Sequence, residues 1–159
     1  MPPPRRTVDH TGIMAIRDLA QLLANLSVRQ RPGRWCFVSG AAIPVGMTVA
    51  ATVVEDEGTT AVITVDDAED LGIEPGFVAA WLTLEVTSAL DAVGLTAAVA
   101  TALAHRGISC NVLAGYHHDH LLVPEVRSAD AIAAIAALRA QATSSEGIGP
   151  NRWDRLDRQ

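Results

Sequence analysis

The chain contains no lysine: all twelve of its basic residues are arginines. That absence removes whole classes of chemistry. A phosphate-cradling P-loop needs Gly-Lys-Ser/Thr, because an ammonium group must reach the phosphates. Schiff-base and pyridoxal-phosphate catalysis need a lysine amine as nucleophile. Aromatic residues are scarce, at 4% of 159, and cysteine is limited to Cys36 and Cys110. Both cysteines sit in apolar, strand-like runs, so they read as two buried thiols in a reducing compartment ahead of a cross-link. No apolar run approaches the roughly 18 residues that would span a bilayer. The opening Met1-Pro-Pro-Pro-Arg-Arg has no apolar stretch behind it and is not a secretory signal. A cytoplasmic location is therefore expected, with Met1 or Met14 as the start. Net charge is −6 without a basic cluster, so neither nucleic acid nor membrane is expected as a partner.

What is present suits a packed globule: 49% apolar and 19% charged residues. Residues 1–12 read as a loose tail. Ile16, Leu19, Ala20, Leu23 and Leu26 follow helical spacing and predict a helix over 14–26. Arg31-Pro-Gly33 breaks the pattern before a short strand, Trp35–Val38. Two β-branched runs, Thr48–Glu55 and Thr59–Val65, flank Asp56-Glu57-Gly58 as a hairpin. Asp66 and Glu69 have the form of a capping box opening a short helix that ends near Gly72.

The second half predicts a strand at Phe77–Thr87, a helix at Gly94–Arg106 and strands at Ile108–Ala114 and His120–Pro124. A final helix capped by Ser128 runs to about Ala140, and residues 143–159 read as a second loose tail. From residue 77 the order is strand, helix, strand, strand, helix, most of a split βαββαβ unit. Its closing strand is missing, so the earlier half must supply it. The fold class expected is α+β: two ferredoxin-like modules, 13–76 (degenerate) and 77–142. Their sheets are antiparallel with helices on one face, and strands are shared between the modules.

The stretch from Leu84 to Pro124 carries a fuller pattern. It reads Ser88-Ala-Leu-Asp-Ala-Val-Gly-Leu-Thr96, then Cys110-Asn-Val112, then Gly115-Tyr-His-His-Asp-His120. This resembles the small bacterial tandem ACT-domain proteins, with Ala89 standing where a polar residue is the rule and His117 where Tyr is. The resemblance implies regulatory, non-catalytic binding of a small ligand, typically an amino acid, at the loop joining the first strand of a module to its first helix. In this chain that loop is Ser88–Gly94.

Physical chemistry adds to this reading. Free amides at a helix N-terminus attract a carboxylate. The expected ligand residues are accordingly Ser88, Asp91, Val93, Gly94, Leu95 and Thr96, joined across the sheet edge by Asn111, Ala114, Gly115 and Tyr116. Asn111 and the carbonyls around Ala114-Gly115 would hold an ammonium group, with Asp91 contributing its charge. No cofactor is expected. The Ala-rich helix 94–106 has little polar surface, which predicts a homodimer.

Two other readings compete. His118 and His120 share a face of an extended strand and could serve a metal-dependent enzyme or a small transferase, although a third ligand is needed from elsewhere. Ala89 and His117 leave room for a structural partner protein with a decayed site. Cys110 with His105 lacks any spacing that makes a nucleophile–base pair.

Overall fold

The computed structural model describes Ile16, residues 18–40, Pro44, residues 46–88, Leu90 and residues 92–145. The expected tail over 1–12, Asp91 and residues 146–159 lie outside the described residues.

The chain builds one six-stranded antiparallel sheet in the order β2-β3-β1-β4-β6-β5. β1 (Val28–Ser39) is far longer than the expected strand at 35–38. Pro32-Gly33 does not end it but makes a bulge: Arg31 pairs with Trp81, and Trp35 pairs with Ala79. Four residues of β1 thus span what two span on β4 (Ala79–Leu84). Gly33 takes φ +96, which an L side chain rarely adopts. The first half of β1 runs along β4, and the second half, Trp35–Ser39, runs along β3 (Gly58–Thr64). β3 in turn forms the expected hairpin with β2 (Ala51–Glu55), and β4 pairs with β6 (Asp119–Pro124), which pairs with β5 (Asn111–Ala114).

This order solves the missing-strand problem. A ferredoxin-like unit sets its strands 4-1-3-2 across the sheet. In the second unit β4, β5 and β6 are strands one, two and three, and the first half of β1 takes the place of strand four. In the first unit β1, β2 and β3 are strands one, two and three, and β4 takes the place of strand four. The two central strands therefore each belong to both units. No helix joins β1 to β2 among the described residues, which is the degeneracy of the first unit.

Several elements differ from expectation. α1 is Leu19–Ala24 instead of 14–26, because Asp18 takes an extended conformation and its side chain accepts from Gln21 N. Upstream of it, Ile16 N donates to Thr87 O at 3.0 Å, a strand-like contact in place of a helical one. α2 (Val65–Asp70) is capped by Thr64, whose Oγ1 accepts from Asp67 N at 3.1 Å, and not by Asp66. α3 (Leu95–Ala104) is shorter than expected, as are β4 and β5. α4 (Ser128–Ser145) is longer, and a 3-10 turn over Glu125–Arg127 leads into it, so Ser128 continues an existing turn rather than opening the helix.

The pleat sorts side chains onto two faces. One face carries all four helices. Leu82, Leu84 and Leu121 there meet Leu22 and Leu26 from the α1 segment, Leu95, Val99 and Leu103 from α3, and Ile135 from α4. Cys36, Val38 and Ile63 meet Val65 and Ala68 of α2. Burial raises the Cys36 thiol, with Asp67 adding to it, and burial raises Cys110. Both thiols are free. No helix of the described residues is long and apolar enough to cross a membrane.

Candidate functional site

No helix of the described residues lies over the opposite face, and there the aromatic residues gather. Trp35, Val62, Ala79, Trp81 and Leu122 form a buried layer, flanked by Phe37, Phe77, Ala51 and Leu113. Trp35 and Trp81 meet edge-on with centroids 5.2 Å apart. The register that pairs Arg31 with Trp81 puts the guanidinium carbon 4.3 Å from the Trp35 ring and 5.0 Å from the Trp81 ring. A guanidinium over indole faces is attracted by the ring quadrupoles. Arg31 has no acidic partner among the described residues. Its neighbour on the same face, Arg29, donates to Glu85 Oε1 at 2.5 Å.

Beside the indoles, Thr83 is the one buried polar residue of the described core, 3% exposed. Its Oγ1 lies 3.1 Å from His120 Nδ1 across the β4–β6 ladder. The His120 ring also tilts against Trp81 at 5.3 Å. Burial lowers the His120 pKa below its ordinary 6.5; His118, Arg31 and Arg29 push the same way, and Asp119 opposes them. These groups enclose a cavity of about 460 Å³, completed by Ala50, Ala51, Leu113, Ala114 and Gly115. That volume is within the range of small-molecule sites. Gly115 makes room by necessity: a Cβ there would stand 2.7 Å from the His118 carbonyl, which accepts from Gly115 N at 3.0 Å.

The expected ligand residues divide between the two faces. Ala114 and Gly115 line the open-face cavity. Asn111 and Tyr116 are exposed on or next to the same edge strand, Tyr116 stacking edge-on with His117. Gly94 lies instead in the helix layer, bordering a separate groove of about 630 Å³ with Leu19, Ala98 and Ala134. Its φ is +105, and a Cβ would meet Leu19 Cδ2 at 2.9 Å, so helix packing accounts for this glycine. Leu95 is a core side chain. Thr96 and Val93 are exposed, and Ser88 N donates to Val86 O at 3.1 Å while Ser88 bridges Ile16. His118 and His120 gain no third ligand: among the described residues no three His, Cys, Asp or Glu cluster.

Arg29, Arg31, Trp81 and Thr83 did not stand out in the sequence. Arg31-Pro-Gly33 reads as a strand break, which hides the fact that Arg29 and Arg31 occupy alternate positions of one strand. The alternation Arg-Gln-Arg was the available signal.

The architecture is a double ferredoxin-like unit with shared central strands, and comparison with known proteins gives the family. Residues 14–80 and 76–140 each match the ACT domain. A Vibrio cholerae protein of unknown function, described as a possible transport protein, is similar at 36% identity with TM-score 0.69, covering 76% of this chain and 95% of that one. A protein from Agrobacterium tumefaciens matches at 21% identity and TM-score 0.52, over 72% and 89% of the two chains. The ligand-free regulatory subunit of aspartate kinase from Thermus thermophilus shares the fold at 11% identity and TM-score 0.52, over 70% and 95%. No curated protein matches the sequence. The chain belongs to the ACT-domain family, as two domains in tandem, and so to the ligand-binding regulatory modules.

Proposed function

We propose that the protein is a non-catalytic cytoplasmic regulator whose ligand is a small carboxylate of amino-acid size, held in the open-face cavity. The observation that carries this reading is Arg31. A guanidinium stacked on two indoles at a cavity wall, without an acidic partner among the described residues, is preorganised to receive a carboxylate through paired N–H donors. Amino acids are the first candidates, since they are the ligands typical of the family. The Ser88–Thr96 loop is the weaker candidate site, because Leu19 packing accounts for Gly94 and the bridge to Ile16 engages Ser88.

The same reading includes a homodimer through the small-residue surface of α3 and α4, to be checked by sedimentation at micromolar concentration; monomer alone would remove it. The test of the main reading is thermal unfolding against a panel of amino acids and related small acids. A ligand at 100 times its Kd adds about 2.7 kcal/mol, a rise of several degrees for a domain of this size. Arg31→Gln should abolish the rise. A rise that survives Arg31→Gln would place the ligand elsewhere.

A further inference from the structure

The cavity is one-sided in charge. Arg29 and Arg31 line it, together with the imidazole of His120 and the hydroxyl of Thr83, and no aspartate or glutamate does so among the described residues. Glu85 is engaged by Arg29 at 2.5 Å, and Asp119, which acts on His120, does not line the cavity. Backbone carbonyls do not make up the deficit. Those of β4 and β6 are committed to ladders on both sides; the stretch of β1 at the cavity, Val28–Arg31, pairs with β4 on one side, and its outer carbonyls lie in the plane of the sheet. The free carbonyls of the edge strand β5 lie in the plane of the sheet instead of rising over its face.

The Thr83–His120 pair points the same way. In either tautomer the pair has one donor left over: Nε2–H when the hydroxyl donates to Nδ1, or the Thr83 hydroxyl when Nδ1–H donates to it. The rest of the lining is apolar: Trp81, Leu113, Ala50 and Ala51.

A zwitterion placed here would gain at its carboxylate and lose at its ammonium, which would face the Arg31 guanidinium with no acid in the lining among the described residues, Glu85 being held by Arg29. We infer that the site selects carboxylates that lack an α-amino group, with an apolar or planar body against Trp81 and Leu113: 2-oxo acids and related organic acids bind in preference to the matching amino acids. This rests on the open-face cavity being the ligand site.

The experiment is isothermal titration of the full chain with matched pairs, phenylpyruvate against phenylalanine and 2-oxoglutarate against glutamate. It is repeated with Arg31→Gln and with Ala51→Asp, which sets a carboxylate at a partly buried wall position, circular dichroism confirming that both variants fold. Supporting results are at least about tenfold tighter binding of one oxo acid than of its amino acid, corresponding to about 1.4 kcal/mol, and loss of that binding in both variants. If the amino acid of a pair binds as tightly as its oxo acid and depends on Arg31, the selectivity is overturned while the site stands. If neither binds, or binding ignores both variants, the site itself is wrong and the selectivity falls with it.

Discussion

At the scale of single residues, His120 shows how one ring is set by several neighbours. Its folded-state pKa lies below the ordinary 6.5, chiefly through burial and the adjacent His118. The unfolded chain therefore takes up the proton first, and stability rises with pH across this window. The contribution is present above pH 6.5 and is lost as pH falls through 6.5 towards the folded value. His120→Gln should flatten the decline in melting temperature between about pH 7 and 5 relative to the parent; parallel pH profiles would contradict the assignment. The sequence drew attention to His120 without showing its side-chain neighbour. Read as a strand with His118, it suggested a metal, whereas its partner is Thr83, thirty-seven positions away and invisible to local spacing.

At the scale of elements, the contact between α1 and α3 turns on a single pair. α1 has only six residues and cannot persist alone; it is held by Leu22, fully buried, and by Leu19 lying against Gly94. Gly94→Ala should lower stability by about 1–3 kcal/mol through crowding. In a Leu19→Ala background the same change should cost less, with the residue set by φ +105. Chemical denaturation of the four proteins tests this, and equal costs in both backgrounds would show that backbone strain alone is responsible. Helices and strands of the second half were legible because each had clean periodicity and Gly or Pro punctuation. The ends were not. Asp18 capping, the bulge at Pro32-Gly33 and the 3-10 turn before α4 depend on tertiary pairing that a window of sequence does not contain.

At the scale of the whole molecule, the expected exchange of strands proved to be the organising feature. It could be inferred because the second unit was one strand short. Which strand would fill the gap could not, since Arg31-Pro-Gly33 disguised β1. Shared central strands make the two ACT domains one thermodynamic body. The full chain should unfold in one transition, followed by circular dichroism and tryptophan fluorescence together, and the segment 77–159 expressed alone should not fold, because it lacks the β1 half that covers β4. A stably folded 77–159 fragment would mean that β1 is dispensable to it. The open-face site was the least legible part of all. It draws on β1, β4 and β6 at once, and only the register of the finished sheet brings Arg31, Trp81 and His120 to one wall.

The central pairing also sets a timetable for synthesis. β1 leaves the ribosome about forty residues before β4, the strand against which its first half lies, a wait of roughly 2–8 s at ordinary elongation rates of ~5–20 residues per second. The second domain faces no such delay: its last strand in the sheet is the first one made, so it closes as soon as α4 is complete.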